Sequence, residues 1–288
     1  MNYFKTFFLM ALLTLLLMFV GKIVAGQEGM LIALLIAGVM NFISYWFSDK
    51  IVLKAYHAAE VSPKDAPQLY AIVEHLAQRA GLPTPKIYIA QSNTPNAFAT
   101  GRNPEHAAVC VTTGLLQILD ANELAGVLGH ELTHVKNRDI LTGTIVATMV
   151  GAIGYLAYMA QWAAMFGGFG NSGSDRRGNN MFVLIIAAVL TPIMATIIQL
   201  AISRQREYAA DKGGAVLCDN PLYLANALRK LEHMNKAVPM PAAPLAQSTA
   251  HMFIVNPFAR GGFLRGLFST HPSTEKRIQK LESLLKED

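Results

Sequence analysis

Long runs without a charged side chain decide what this chain can fold into. Residues 140–174 give 35 positions in succession without Asp, Glu, Lys or Arg, and residues 178–203 give a further 26. Near the N-terminus, 16 uncharged residues separate Lys5 from Lys22 and 20 separate Glu28 from Asp49. A bilayer core of about 30 Å is crossed by about 20 apolar residues in a helix, so the pattern predicts four transmembrane helices. The first run is short, but Lys22 can snorkel to the interface and Ile23 and Val24 extend it. A cleaved signal peptide is the competing reading of that run; the second apolar run that follows at once favours a helical hairpin. The third and fourth runs are joined by the flexible connector GGFGNSGSDRRGNN at 167–180. Pro192 falls inside the fourth, where a membrane helix tolerates it.

Four spans put residues 49–141, the tail from 203 and the N-terminus on one side. Lys50, Lys54, Lys136, Arg138, Arg204, Arg206 and Lys212 flank the spans there, against Lys22, Arg176 and Arg177 on the other. The positive-inside rule makes the richer face cytoplasmic. The expected division is an N-terminal transmembrane hairpin (1–48), a cytoplasmic part (49–141), a second hairpin (142–202) and a second cytoplasmic part (203–288). Composition agrees: hydrophobic residues are 52% and charged residues 15% of the 288, which excludes disordered and disulfide-scaffold classes. A net charge of +5 with no dense basic cluster argues against nucleic acid as a partner and leaves the lipid bilayer. Cys110 and Cys218 lack metal-type spacing and read as reduced thiols.

On the cytoplasmic side, APQLYAIVEHLAQRAGL carries apolar residues at helical spacing up to a stop at Gly81. Three extended candidates follow from Lys86, Ala97 and Ala107, which predict a small antiparallel sheet. From Asn122 a helix is expected to run straight into the third span, and the fourth span to continue as helix to about Gly213. Amphipathic helices are expected over 221–236 and in the tail from Thr274, with a loop over 237–262. The fold class is therefore a mainly α membrane protein with a small β-sheet, its cytoplasmic parts forming one α+β domain.

The chemistry begins at His130-Glu131-Leu132-Thr133-His134. Two histidines at i and i+4 share a helix face and can reach one tetrahedral cation, with Glu131 beside the open position where a water would sit. The pattern arises by chance in about one chain of this length in a hundred, so it needs a third ligand. The stretch Ser203 to Asp211 offers one, with carboxylates Glu207 and Asp211 again at i and i+4. At 1.5 Å per residue, His134 stands about 12 Å above the start of the third span and Glu207 about 8 Å beyond the end of the fourth, so an antiparallel hairpin brings them to similar height. Glu207 could instead pair with Arg204 or Arg206. Asp211 suits a role as acceptor for the far ring nitrogen of His130 or His134.

In this order, H-E-L-T-H with Asn137-Arg138-Asp139, the spacer hairpin, S-R-x-x-E-x-x-A-D and His271-Pro272-Ser273-Thr274-Glu275-Lys276-Arg277 resemble the HtpX-type membrane zinc metalloproteases. That group is gluzincin-like and related to the CAAX prenyl endopeptidases. The resemblance implies a zincin-like protease domain in which one zinc ion per chain is bound by His130, His134 and Glu207, and Glu131 activates the water. It implies that His271 and Arg277 face the site, with His271 able to stabilise the oxyanion. Asn96 and Ala97 in NAFAT match the family's edge strand, where a substrate backbone can pair. The implied setting is the bacterial inner membrane, with both termini and the active site cytoplasmic, and the implied task is quality control of misfolded or damaged membrane proteins under stress. Alternatives are a site-specific processing protease of the CAAX-endopeptidase type, and a membrane chaperone that binds unfolded polypeptide without cutting it. Substrate identity and oligomeric state are not written in the sequence.

Overall fold

The structure, a computed structural model, describes residues 2–150, 204–237, 252–255 and 272–285. Helix α1 spans Asn2–Ala55 and turns back on itself at Gly26, whose φ of 61° lies in the left-handed region that glycine enters without strain. A straight helix would hold residues 14 and 41 about 40 Å apart, whereas Asn41 Nδ2 donates to Thr14 Oγ1 at 2.9 Å. The two arms meet closely near the turn: a Cβ on Gly21 would lie 2.4 Å from the Gly29 carbonyl oxygen. Among the described residues, one helical stretch, Gly26–Ala55, is long and apolar enough to cross a membrane. Thr6–Lys22 and Ile140–Val150 are apolar but shorter. Most of the third expected span, the 167–180 connector and the fourth span up to Ser203 lie outside the described residues.

The part that follows the hairpin is built on a four-stranded sheet, β1 (Ala58–Glu60), β2 (Lys86–Ala90), β3 (Ala97–Thr100) and β4 (Ala108–Thr112), in the order β1-β2-β4-β3. This corrects the expected all-antiparallel sheet: β2 and β4 are parallel, and the other two pairings are antiparallel. The cause is the route of the chain: from β2 it crosses to the far edge, forms β3, and turns back into the gap, so that β4 pairs with β2 on one side and β3 on the other. A strand entered after that excursion runs in the same direction as β2. Ala59 and Glu60, exposed at the opposite edge, give β1 no apolar alternation for sequence reading to find.

Helix α2 (Pro67–Ala80) ends on left-handed Gly81, and α3 (Thr113–Ile118) is capped by Thr112. Helix α4 (Ala121–Lys136) opens with an Asp120–Glu123 capping box. It does not run straight on, as the sequence suggested. It stops at Lys136, Arg138 takes a φ of 57°, and a new helix, α5, covers Ile140–Val150. Helices α6 (Arg204–Cys218), α7 (Pro221–Ala237) and α8 (Thr274–Leu284) complete the described elements. One core joins α2, the inner face of the sheet, α4 and α7 through Val73, Val109, Val111, Leu128, Leu132 and Leu228. A second lies in the hairpin, where Leu9 and Leu13 pack on Ile145 and Met149 of α5.

Candidate active site

The site forms where α4 and α6 lie backbone against backbone, and glycine makes that approach possible. A Cβ on Gly214 would stand 2.7 Å from His130 N, and one on Gly213 would stand 2.4 Å from Thr133 Cγ2. Such distances leave no room for any side chain. Helix α6 consequently runs close enough for Glu207 to reach the histidines of α4.

The geometry then brings three ligand types to one point. His130 Nε2 and His134 Nε2 are 3.2 Å apart; Glu207 Oε1 lies 3.5 Å from the second and Oε2 3.7 Å from the first. Zinc bonds of about 2.0–2.1 Å at tetrahedral angles give ligand-to-ligand edges of about 3.4 Å. The three side chains therefore fit a small tetrahedral cation, and among the described residues they form the one such group of His, Cys, Asp and Glu side chains. His130 and Glu207 are buried and His134 is half-buried.

Each histidine turns its other nitrogen to a carboxylate. His130 Nδ1 lies 2.9 Å from Asp211 Oδ1, and Asp211 is held in turn by Arg277, with Nε donating to Oδ2 at 2.9 Å and Nη2 to Oδ1 at 2.6 Å. Asp211 thus lies at His130 and not at His134. Burial alone would raise the Asp211 pKa, but Arg277 and His130 outweigh it and hold the carboxyl well below the usual range. Arg277, 1% exposed, points to the back of this pair and also donates from Nη1 to the Ile254 carbonyl at 2.6 Å. His134 Nδ1 lies 3.2 Å from Asp139 Oδ2, and Arg206 Nη1 lies 3.3 Å from Asp139 Oδ1. Burial pulls the His134 pKa down, while Asp139, Glu207 and Glu131 lift it further, to about 9. Arg206, which sequence reading had offered to Glu207, is engaged with Asp139.

Glu131 is buried beside the histidines and accepts a hydrogen bond at Oε2 from Ala99 N, 2.9 Å away. Its carboxyl is pushed up by burial and by Glu207, against the pull of His130, His134 and the Ala99 amide. Ala99 belongs to β3, the outermost strand on this side of the sheet. Asn96 N and O both bond to Thr112 and face β4; Ala99 N faces the other way, so the backbone groups of Ala97 and Ala99 line the outer edge. Asn96 is buried, with Oδ1 accepting from Ile254 N at 3.3 Å. His271 lies outside the described residues.

Sequence reading did not find Asp139, the Ala99 amide or the glycine pair. Asp139 was visible only as part of a motif, and the left-handed turn that brings it to His134 has no glycine to announce it. Gly213-Gly214 inside a helix was a usable signal, because glycine is costly there and its presence points to a close approach.

Comparisons with known proteins identify the family. Residues 63–285 match the model of peptidase family M48. The chain is 55% identical over 284 residues to a protease HtpX homolog of Syntrophotalea carbinolica, covering 99% of both chains. It is 57% identical over 268 residues to a protease HtpX homolog of Aquifex aeolicus, covering 92% of this chain and 87% of that one. Among solved structures it resembles S. mikatae Ste24p with a TM-score of 0.52 at 19% identity, a likeness of fold that covers 93% of this chain and 62% of that one. By that match and those identities, the chain belongs to peptidase family M48 and is a metalloprotease of the HtpX type.

Proposed function

We propose that the chain is a zinc-dependent endopeptidase embedded in the bacterial inner membrane, cutting misfolded or damaged membrane proteins at the cytoplasmic face. The observation that carries this reading is the meeting of His130, His134 and Glu207 at tetrahedral spacing beside a buried Glu131 that is bonded to an edge strand. Zinc held by those three side chains, one ion per chain, would polarise the scissile carbonyl and lower the pKa of a water towards about 7.

The remaining work falls to the chain's own residues. The outer edge of β3 offers the backbone groups of Ala97 and the carbonyl of Ala99 to an extended substrate, which fixes its peptide plane next to Glu131. Glu131, held at Oε2 by the Ala99 amide, takes a proton from the attacking water and delivers it to the leaving amine. Its raised pKa suits a group that must both accept and give a proton. Asp211 fixes the ring of His130, and Arg277 keeps Asp211 ionised in a buried place. His271 is assigned to the oxyanion by resemblance alone.

The membrane setting is supported by the hairpin. Phe4, Phe7, Leu15, Leu31, Leu35 and Phe42 are exposed on it, and Lys50 and Lys54 follow at the end that joins the protease part. By the positive-inside rule that end is cytoplasmic. The reading takes 1–48 and 142–202 as transmembrane hairpins and 49–141 with 203–288 as one protease domain. Thr100 Oγ1 lies 3.1 Å from Thr144 Oγ1, so β3 ends against α5, and the substrate strand would lie at the membrane surface.

The test is degradation of an unfolded model polypeptide by detergent-purified protein, stripped with chelator and resupplied with zinc. Cleavage should return with zinc in the wild type and stay absent in Glu131→Gln. Equal cleavage by that variant would overturn the assignment of the base.

A further inference from the structure

The two histidines are backed by unequal pairs. Behind His130, the side chains of Asp211 and Arg277 are 3% and 1% exposed and joined by two hydrogen bonds. Behind His134, the side chains of Asp139 and Arg206 are 8% and 21% exposed, and Arg206 Nη1 lies 3.3 Å from Asp139 Oδ1.

Asp139 reaches His134 only because α4 breaks. Five residues along an unbroken helix, it would point about 140° away from the His134 face. Instead Asn137 N donates to the Thr133 carbonyl, Arg138 N to that of Val135, and Asp139 N to that of His134 at 2.9 Å. Arg138 meanwhile adopts the left-handed conformation that a side chain disfavours. A non-glycine residue held there beside a site is a feature that its surroundings enforce. The break folds Asp139 back along the last turn of α4, with Oδ2 at His134 Nδ1. Arg206 comes from α6, next to Glu207, so one turn supplies a ligand and also a clamp on the carboxylate behind another ligand.

We propose that Asp139, held by Arg206, is a positioning residue that fixes the tautomer and ring orientation of His134, and that the break in α4 at Asn137–Arg138 exists to place it. The inference rests on the reading of His130, His134 and Glu207 as zinc ligands. It has a topological consequence. Asp139 directly precedes α5, and Arg206 lies just after residues 151–203, so the backing of His134 is made where the chain enters and leaves the second expected hairpin. The backing of His130, from Asp211 and Arg277, lies deeper in the protease core.

The experiment measures the Zn2+ dissociation constant of the full chain in detergent, by competition with a chelating indicator, together with the visible absorption spectrum of the Co2+ form. Asp139→Asn should weaken zinc binding about 10–100-fold, as loss of a carboxylate behind a metal-binding histidine does, and should shift the Co2+ bands. Arg206→Gln should weaken binding less, and the double variant should match Asp139→Asn alone, because the arginine acts through Asp139. Thermal midpoints of the metal-free proteins separate this role from plain stability. A lowered midpoint in Asp139→Asn with a zinc constant within about twofold of wild type and an unshifted Co2+ spectrum would overturn the role of Asp139. A wild-type chain that binds no zinc would overturn the underlying reading as well.

Discussion

The N-terminal hairpin and the protease core solve opposite problems with the same twenty side chains. On the hairpin many large apolar residues face outward, with Phe4 77%, Leu35 72% and Phe7 71% exposed, while Thr6, Ser44 and Ser48 are buried along with Leu9 and Leu13. In the core the apolar residues are buried as expected, and Glu131, Glu207, Asp211 and Arg277 are buried with them. A lipid surround makes outward leucine favourable and polar contact between helices useful. Water outside the core makes burial of charge costly unless each charge has a partner. The difference teaches that the surrounding medium, more than composition, decides which side chains go inside.

The largest effect is expected in the core. Arg277→Leu leaves Asp211 buried without its cation and should cost about 3–5 kcal/mol, read as a large fall in the thermal midpoint in detergent. Val39, 59% exposed and near the middle of Gly26–Ala55, gives the next effect. Val39→Asp should cost about 2.5–3.5 kcal/mol if that face meets lipid, measured as lost insertion into membranes. A change within about 0.5 kcal/mol, normal for a water-facing position, would remove the hairpin from the bilayer. Gly214→Ala sets a methyl against the His130 amide and should cost about 1–3 kcal/mol together with weaker metal binding, because the helix carrying Glu207 is pushed away. Smallest is Thr14→Val, which removes the acceptor for Asn41. Hydrogen bonds between membrane helices are worth about 0.6 kcal/mol, so unfolding in bicelles should change only slightly.

Much of the site was legible because its geometry is local. The i and i+4 spacing of His130 and His134, and of Glu207 and Asp211, sets faces on helices that are unbroken between them. The hairpin was likewise written in two apolar runs around Gly26. What escaped depended on contacts distant in sequence or on backbone choices without a residue signature. The parallel pairing of β2 with β4 follows from the route of the chain, which forms the edge strand β3 before it returns to the gap beside β2. The stop of α4 at Lys136 follows from a left-handed Arg138, a residue type that gives no warning. Arg277 was brought to the site by resemblance alone, since nothing nearby in sequence shows that Asp211 waits 66 positions earlier.

On the proposed mechanism three side chains hold the metal and a fourth, Glu131, stands beside it without being needed for binding. Zinc content per chain, by elemental analysis of wild type, Glu131→Gln, His134→Phe and Glu207→Gln purified alike, tests it most directly. The account predicts one zinc in the first two and loss in the last two, because two remaining ligands do not close the site. Full zinc in His134→Phe or Glu207→Gln, or its loss in Glu131→Gln from a folded protein, would contradict it.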